Sequence, residues 1–290
     1  MSSPPESAAG PQRVISASRR TDLPGWHAEW LAARLGRLRV PVHSVFFWTR
    51  FPGAFVRPGP LRDALRAVEN PFIGITITGF GGSALEPRVP PTDEVFATLP
   101  ALIDLLRGQP ERIQWRCDPL IQGRHGADLV ARLCERAGAL GLRRCIISLP
   151  ALQSLKGDLR PQLAAAGVAP WPPGEGAAFV RQVASTAGEH GIRLAACATP
   201  ALDGLIQEGV IDRAQCISDT LAARLHPRGL PLSLPKDPHQ RCACACVLSE
   251  DIGSYTEHLC RSGCGYCYSK AGGPTPGASA TPGTPRLSRA

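Results

Sequence analysis

The sequence lacks several features that would assign it to a familiar class of protein. No run of about 18 apolar residues occurs, so no transmembrane helix and no membrane partner are predicted. The first twelve residues, MSSPPESAAGPQ, contain no apolar stretch of a secretory signal, and we expect a cytoplasmic protein. A G-x-G-x-x-G motif does not follow the first predicted strand, which disfavours a dinucleotide-binding fold.

The sequence also lacks paired histidines and a cluster of consecutive Lys and Arg residues. The seven histidines form neither H-x-H nor H-E-x-x-H, which weakens the hypothesis of a metal-dependent hydrolase. Aromatic residues make up 6% of the chain, so no stacking platform for single strands is evident. The net charge of +8 permits a nucleotide or nucleic-acid partner, but scattered, solvated arginines explain the charge more simply.

Short apolar runs alternate with amphipathic stretches along most of the chain. The runs are continuous and rich in β-branched residues, which is typical of strands buried on both faces. The alternation predicts a parallel α/β fold: a full or partial (β/α) barrel of the TIM type, with a doubly wound open sheet as the alternative. The predicted strands are 13–18, 44–49, 72–78, 112–117, 144–149, 193–198 and 215–219, and the predicted helices are 26–38, 60–69, 93–107, 127–140, 176–190 and 201–209.

The expected organisation is one barrel body between two disordered ends. Small residues and proline dominate 1–11 and 271–290, and both are predicted to be disordered. The barrel body is expected over 12–235, and a cysteine-rich metal-binding segment, 236–270, is expected to pack on the barrel mouth. The proline-rich segment 151–176 is either a lid over that mouth or an insertion.

Polar residues follow several of the predicted strands. In a (β/α) barrel the chemistry lies at the carboxyl ends of the strands, where arginine suits a carboxylate or phosphate. Asp22 has the alternative role of a helix cap, and the glycines after the third strand either admit a ligand or form a tight turn. The candidate catalytic residues are Arg19, Arg20, Asp22, Arg116 and Asp118, and the candidate cofactor-binding glycines are Gly79, Gly81 and Gly82.

Six of the eleven cysteines lie between residues 242 and 267, whereas buried structural cysteines are scattered over core faces. The last three, in CRSGCGYC, have the spacing C-x3-C-x2-C. Three thiolates on a [4Fe–4S] cluster leave one iron free to bind a small molecule. The predicted ligands are Cys260, Cys264 and Cys267, and a zinc site with His258 as fourth ligand is the alternative.

A second metal site is predicted from other cysteines. Cys197 and Cys216 end adjacent predicted strands on the same rim, and the pair Cys244 and Cys246 precedes the C-terminal motif. Because thiolates suit iron–sulfur or zinc, we hypothesise that these four residues hold a second site, with Cys242 as an extra ligand. The alternative is that Cys197 and Cys216 are small core residues.

The C-terminal motif resembles the C-x3-C-x-aromatic-C motif of radical S-adenosylmethionine (SAM) enzymes. The resemblance implies a [4Fe–4S] cluster, SAM bound at its free iron, reductive cleavage of SAM, and an electron donor such as a flavodoxin or ferredoxin. It also implies that Tyr266 packs near the adenine. The motif of those enzymes follows the first strand, whereas here it follows the last, and barrel closure would bring it to the same mouth.

Longer motifs resemble an uncharacterised bacterial family, domain of unknown function eighteen-forty-eight. The resemblance covers roughly residues 13–269 and implies a C-terminal cysteine cluster of the radical SAM type, but no reaction. The motifs are ISASRRTDLP (15–24), FFWTR (46–50), ITGFG (77–81), EPRVP (86–90), WRCDP (115–119), QRCACACVLSEDIGSY (240–255) and CRSGCGYCYS (260–269).

The expected function is that of an iron–sulfur protein acting as a radical SAM-like enzyme on an unknown substrate. The YCY sequence also resembles the spore photoproduct lyase group, which would imply a nucleotide or nucleic-acid lesion as substrate. The alternative is a non-catalytic module, with an iron–sulfur or zinc site that senses redox state or supports structure, on a small-molecule-binding barrel. A cluster that ignores SAM would favour this alternative.

Overall fold

The structure, a computed structural model, describes residues 12–150 and 159–267, so the two termini predicted to be disordered lie outside the described residues. None of the helices in these ranges is long and apolar enough to cross a membrane. The strands are β1 (Val14–Ala17), β2 (Ser44–Thr49), β3 (Pro71–Thr76), β4 (Ile113–Cys117), β5 (Arg144–Ile147), β6 (Arg193–Ala196), β7 (Asp212–Arg213) and β8 (Glu250–Asp251). The α-helices are α1 (Leu23–Trp26), α2 (Ala28–Gly36), α3 (Gly53–Val56), α4 (Pro60–Ala67), α5 (Thr92–Leu105), α6 (Ala127–Ala139), α7 (Leu159–Ala165), α8 (Glu175–Glu189), α9 (Asp203–Gln207) and α10 (Asp219–Arg224).

The eight strands form one parallel sheet in the order β7-β6-β5-β4-β3-β2-β1-β8. Ile15 of β1 lies opposite Val45 of β2 on one side and Glu250 of β8 on the other. Among the described residues no strand pairing joins β7 to β8. One parallel sheet with its helices is consistent with a partial or full (β/α) barrel, and the predicted α/β class is confirmed.

The last two strands differ from the prediction. Residues 215–219 were predicted as a strand, but β7 comes earlier, and Ser218 instead caps α10 by accepting a hydrogen bond from the Leu221 amide at 3.2 Å. A serine before an aspartate favours a helix start, which explains the error. The strand β8 was not predicted, because two polar residues, Glu250 and Asp251, carry no apolar pattern.

The sheet separates two apolar cores. Phe47, Ile73 and other side chains on one face pack against the helices. Phe46 and Phe72, one residue away in each strand, point to the inner face, where their rings stack with centroids 4.7 Å apart. This alternation is the two-residue period of a strand. The inner face is covered by the segment that follows β7, which contributes Val247 and several cysteines.

One carboxylate attaches β8 to β1. Asp251 accepts hydrogen bonds from the hydroxyls of Ser16 and Ser18 and from the backbone amides of Arg19 and Gly253. These donors satisfy both carboxylate oxygens, and three of the four belong to β1 or to the residues that follow it. Because β8 is parallel to β1, the chain leaving β8 emerges at the carboxyl edge of the sheet, where the rim residues lie.

Close packing and backbone conformation explain why glycines follow β3. A Cβ on Gly81 would lie 2.0 Å from the carbonyl oxygen of Pro90, and Gly79 and Gly82 adopt φ angles of +88° and +80°. Only glycine adopts such φ angles without strain. The resulting turn brings Glu86 back to the end of the strand, where its carbonyl accepts from the Gly82 amide at 3.1 Å. The tight-turn alternative therefore explains these residues, and their role in cofactor binding stays a prediction.

We expect Gly81→Ala to lower the free energy of unfolding by about 3 kcal/mol, because backbone must move to admit the methyl group. Urea unfolding measures the change. The matched control is Gly188→Ala in α8, where nothing lies within 4 Å of the added Cβ and a gain of up to about 1 kcal/mol is expected. Equal effects of the two substitutions would contradict the packing argument.

Candidate functional site

The C-x3-C-x2-C motif, residues 260–267 and here called the thiol loop, lies across the carboxyl ends of β1 and β3. The indole of Trp26, which follows β1, donates to the hydroxyl of Ser262 at 3.0 Å. The amide of Gly265 donates to the carbonyl of Leu85, in the turn after β3, at 2.9 Å. The thiol loop is thus held to the edge of the sheet at which (β/α) barrels carry their active sites.

A buried carboxylate joins the thiol loop to two strand ends. Glu86 is 1% exposed, and its Oε1 accepts from Arg50 Nη1 at 2.7 Å, from Thr78 Oγ1 at 2.6 Å and from the hydroxyl of Tyr266. The guanidinium of Arg50 also lies 5.5 Å from the centre of the Tyr266 ring. These contacts connect β2, the β3 turn and the thiol loop at one oxygen atom.

The groups around Arg50 keep its guanidinium protonated. Burial favours the neutral guanidine, but Tyr266, Cys264 and Glu86 together hold the pKa of Arg50 above its ordinary value. Burial also raises the pKa of the Tyr266 hydroxyl well above its usual range, so this group remains a hydrogen-bond donor to Glu86 at neutral pH. A permanent positive charge therefore lies beside the thiol loop.

The three thiols of the loop differ in their environments. Cys264 is half-buried beside an apolar cluster, and this burial raises its pKa to about 12, while Arg50 acts in the opposite direction. Cys260 is half-buried and donates to the Ser262 hydroxyl at 3.4 Å. Cys267 is exposed. The nearby guanidinium would offset part of the negative charge that three thiolates bring.

Part of the proline-rich segment covers the thiol loop. Leu163 of α7 and Val168 pack in one apolar cluster with Leu85 and Tyr266. A Cβ on Gly265 would lie 3.0 Å from the Cβ of Ala166, so the two chain segments are in close contact. This position favours the lid alternative for the part of the segment that the structure describes.

His258, the alternative zinc ligand, is packed between two rings. Its ring centroid lies 3.9 Å from that of Trp30 and 5.2 Å from that of His27. The His258 side chain is buried, and its Nδ1 has no hydrogen-bond partner in the part of the chain that the structure describes. These contacts place the imidazole on the α1–α2 side of the thiol loop.

The two arginines after β1 contact the C-terminal segment. Arg19 Nη2 donates to Asp237 at 3.0 Å and to the Ser249 hydroxyl at 2.9 Å, and Arg20 Nη1 donates to the Gly253 carbonyl at 3.2 Å. Among the described residues, the remaining terminal nitrogen of Arg19, Nη1, is buried without a hydrogen-bond partner. Both arginines therefore tie the end of β1 to the C-terminal segment, and a catalytic role for either stays a prediction.

Asp22 combines a helix cap with a link between strands. Its Oδ1 accepts from the Gly25 amide in α1 at 3.0 Å and from the Thr49 hydroxyl at 2.8 Å, and its Oδ2 accepts from the Arg50 amide at 2.7 Å. Burial raises the pKa of Asp22, and these hydrogen bonds oppose that shift. The capping role is observed, and a catalytic role for Asp22 stays a prediction.

Arg116 and Asp118 form an ion pair after β4, and Asp118 also accepts from the Ser148 hydroxyl. The guanidinium of Arg116 lies 5.3 Å from the centre of the Trp48 ring. Its Nη1 donates to the sulfur of Cys216 at 3.1 Å. Arg116 thus connects the predicted rim with the cysteines on the inner face.

Four cysteines from three chain segments meet on this inner face. Cys197 follows β6, Cys216 precedes α10, and Cys244 and Cys246 lie in the segment 235–248, here called the cysteine hairpin. The sulfurs of Cys216 and Cys197 are 3.8 Å apart, and the Cys246 amide lies 3.5 Å from the Cys244 sulfur. All four residues pack in one apolar cluster. These residues, named the four-thiol cluster, are the four that were predicted to share a site.

Backbone hydrogen bonds hold the cysteine hairpin together. Lys236 and Val247 form an antiparallel bridge, and the Asp237 amide donates to the Cys246 carbonyl at 2.9 Å. Asp237 also accepts from Arg19, which ties the hairpin to the end of β1. The hairpin therefore presents its two thiols to the inner face of the sheet.

Backbone and guanidinium N–H groups point at sulfurs of the four-thiol cluster. The Ile217 amide lies 3.4 Å from the Cys246 sulfur, and the Cys246 amide lies 3.5 Å from the Cys244 sulfur. The hydrogen bonds with Cys246 lower the pKa of Cys244 to about 7. As they stand, no group of three or more His, Cys, Asp or Glu among the described residues is arranged to hold a metal ion.

Sequence reasoning missed the residue that organises the thiol loop. Glu86 lies in a turn after β3, where no apolar period marks it, although the motif EPRVP contains it. Trp48 and Arg50, in the motif FFWTR, were likewise not among the predicted site residues. Their importance depends on contacts with residues far away in the sequence, such as the link between Glu86 and Tyr266 across 180 positions.

Two surface depressions lie away from both groups of cysteines. One, of about 310 Å³, is bordered by residues 35–45 and 67–70 at the amino end of β2. The other is a groove between α2 and α4. Neither depression is lined by a cysteine.

Comparison with solved structures finds distant similarity only. A crystal structure of a D-hydantoinase is 12% identical, with 75% of this chain and 45% of that chain covered and a TM-score of 0.35. The D-hydantoinase from Bacillus sp. AR9 is 12% identical, with 78% and 47% covered and a TM-score of 0.36. A putative alpha-L-fucosidase from Bacteroides thetaiotaomicron VPI-5482 is 10% identical, with 71% and 85% covered and a TM-score of 0.32. The chain thus spans less than half the length of the two hydantoinases.

Comparison with curated proteins gives no match. A family model does match: the one described as Domain of unknown function (DUF1848) aligns with residues 38–269. The matched region begins just after α2, contains β2 to β8 and includes the whole thiol loop. Since this region is more than half of the sequence, the chain belongs to the family Domain of unknown function (DUF1848).

Proposed function

We propose that the protein is a radical SAM-like enzyme whose thiol loop holds a [4Fe–4S] cluster through Cys260, Cys264 and Cys267. The observation that carries the proposal is the position of this loop across the carboxyl ends of β1 and β3. The motif follows the last strand in sequence, but β8 is the direct neighbour of β1 in the sheet. Its location in space therefore suits an active site in a (β/α) barrel.

The residue types of the thiol loop suit such a cluster, and the loop would rearrange on binding it, since no group of three or more His, Cys, Asp or Glu among the described residues is arranged to hold a metal ion as it stands. Three thiols lie within eight residues, and the indole of Trp26 and the carboxylate of Glu86 hold the loop from either side. The guanidinium of Arg50 supplies a positive charge close to Cys264. Three thiolates leave one iron without a protein ligand, which is the position at which SAM would bind.

Two buried polar atoms after β1 support a ligand at the carboxyl end of this strand. Among the described residues, Arg19 Nη1 and the hydroxyl of Thr21 are both buried without a hydrogen-bond partner. Buried polar groups are normally paired, so an unpaired donor and hydroxyl at one strand end favour a polar ligand there. A carboxylate, such as that of the methionyl group of SAM, would accept from Arg19.

When bound and reduced, the cluster with SAM supplies a 5′-deoxyadenosyl radical that abstracts hydrogen from a substrate. The protein residues orient the ligands and exclude water. Leu163 and Val168 cover the loop on one side, and Tyr266 packs beneath them. The net charge of +8 permits an anionic substrate, such as a nucleotide. The chemistry also requires a one-electron donor such as a flavodoxin or ferredoxin.

Anaerobic reconstitution with iron and sulfide tests the proposal. We expect about four iron ions per chain, an electron paramagnetic resonance signal that changes on adding SAM, and 5′-deoxyadenosine after reduction with dithionite. Cys264→Ser should abolish all three, whereas Cys134→Ser, in the buried face of α6, should preserve them.

Two results would contradict the proposal in different ways. A cluster whose signal ignores SAM and that yields no 5′-deoxyadenosine would support the non-catalytic redox or structural module. Zinc bound tightly by the thiol loop, with no iron–sulfur cluster after reconstitution, would support the site that includes His258.

A further inference from the structure

We propose that the four-thiol cluster is a second metal site, independent of the thiol loop, which binds one thiophilic divalent ion, with zinc as the preferred ion. Cys197, Cys216, Cys244 and Cys246 would be its four ligands. Four cysteine thiolates around a single ion form a closed site with no position for a substrate. The expected role is therefore to hold chain segments together.

The four cysteines converge on one place in the fold. They come from three segments and pack in one apolar cluster, and the sulfurs of Cys216 and Cys197 approach to 3.8 Å across 19 residues of sequence. The Cys246 amide donates to the Cys244 sulfur at 3.5 Å, and the amide of Ile217, the residue after Cys216, donates to the Cys246 sulfur at 3.4 Å. An apolar core is filled equally well by alanine or valine, and it does not require adjacent thiols.

The hydrogen bonds from nitrogen to these sulfurs all run in one direction, with the sulfur as acceptor. Three N–H groups, from Arg116, Ile217 and Cys246, point at three different sulfurs of the cluster. A neutral thiol is a weak acceptor, whereas a thiolate accepts charge-assisted hydrogen bonds. Donors of this kind commonly orient and tune the ligands of metal sites. The thiol of Cys145, in the other core, instead acts as a donor to the Ile146 carbonyl.

One pair of sulfurs already has the spacing of a single-ion site. Four sulfurs at about 2.3 Å from one zinc ion, arranged as a tetrahedron, stand about 3.8 Å from each other. This is the distance between the Cys216 and Cys197 sulfurs. In a four-iron cluster each cysteine binds a different iron, so its sulfurs stand farther apart. Cys197 and Cys216 are therefore placed as two ligands of one ion.

Binding requires a small rearrangement and a loss of protons. Among the described residues no group of three or more His, Cys, Asp or Glu is arranged to hold a metal ion as it stands, so cysteine side chains must turn about their Cα–Cβ bonds to close around the ion. Each of the four thiols becomes a thiolate, and up to four protons are released to solvent. The ion with four thiolates carries a net charge of −2, part of which the adjacent guanidinium of Arg116 offsets.

The site would tie the cysteine hairpin to the inner face of the sheet. The hairpin leads directly into β8 and then into the thiol loop. Arg19 already links Asp237 of the hairpin to the end of β1. A metal ion between the hairpin, Cys197 and Cys216 would brace the same region from the β6 side.

Metal analysis of variants tests the inference without any use of activity. The Cys260→Ser/Cys264→Ser/Cys267→Ser variant removes the thiol loop ligands and should retain about one zinc ion per chain. Adding Cys244→Ser and Cys246→Ser to it should remove that ion, whereas adding Cys134→Ser should not. With cobalt in place of zinc, the triple variant should show thiolate-to-cobalt charge-transfer absorption and the d–d bands of a tetrahedral site.

The cobalt measurement does not depend on whether the Cys244 and Cys246 variants fold, because it uses a chain with the cluster intact. One zinc or one iron per chain in the triple variant, with tetrahedral thiolate spectra, supports the single-ion site. Absence of bound metal in the triple variant after exposure to zinc and to cobalt, or a stoichiometry of four irons in it, would overturn the inference.

Discussion

Replacing Glu86 by alanine should lower the free energy of unfolding by about 3–5 kcal/mol, because it leaves a buried guanidinium without its counter-charge. The side chain of Arg50 is 16% exposed, and Glu86 is its ion-pair partner at 2.7 Å. Thr78 and Tyr266 lose the same acceptor. The effect should extend to the thiol loop, which should hold less iron after reconstitution.

Urea unfolding and iron content measure the two effects of Glu86→Ala together. Glu86→Gln keeps an oxygen acceptor but loses the charge, so it should fall between the wild type and Glu86→Ala. Asp93→Ala is the matched control, since it removes the partner of Arg136 in a pair where the Asp93 side chain is 90% exposed. Such exposed pairs contribute at most about 1 kcal/mol.

A loss of stability in Glu86→Ala no larger than in Asp93→Ala would show that the buried ion pair does not organise this edge of the sheet. Normal stability with a complete loss of bound iron would instead assign Glu86 to the cluster itself. The predicted outcome is that stability and iron content fall together.

The second large effect is expected for Asp251→Ala, which should destabilise the protein by about 3 kcal/mol. The substitution leaves buried donors, among them the hydroxyl of Ser18 and the amide of Arg19, without their acceptor. Because β8 consists of two residues, it has too few backbone hydrogen bonds to β1 to compensate for the lost side-chain contacts. The chain that carries the thiol loop should then detach more readily from the end of β1.

Glu250→Ala is the matched control, because Glu250 lies in the same strand and pairs with Arg13 at the surface. Its side chain is 43% exposed, so the expected loss is below about 1 kcal/mol. Thermal unfolding gives the stability of both variants, and limited proteolysis shows whether cleavage within 252–267 becomes faster. Similar stability and similar cleavage in the two variants would contradict the role of Asp251.

Much of the fold could be predicted because its signals are local. The run SVFFWT coincides with β2, and the periodic stretch over 127–140 contains α6. Buried parallel strands and amphipathic helices bury their apolar faces in patterns that a short window of sequence already shows. The same reasoning failed for β7 and β8, which have two residues each and therefore no pattern.

The candidate site was only partly predictable. The spacing of Cys260, Cys264 and Cys267 indicates a metal ligand set by itself, since their separation in sequence is short. Arg19 and Asp22 were singled out because they follow a strand, but their partners, such as Asp237 for Arg19, lie on distant segments. Glu86 was missed because an acidic residue in a turn is ordinary until its buried partners are known.

The sequence by itself determined the α/β class, most strand and helix positions and the cysteine spacing, because each of these depends on residues close together in the chain. The tertiary structure decided three things: that β8 lies beside β1, that Glu86 links Arg50 to Tyr266, and that four cysteines pack together on the inner face. The physical reason is burial. Carboxylates, guanidinium groups and thiols acquire partners only when the chain folds around them, and those partners are far away in the sequence, as Ser16 and Asp251 are at 235 positions apart.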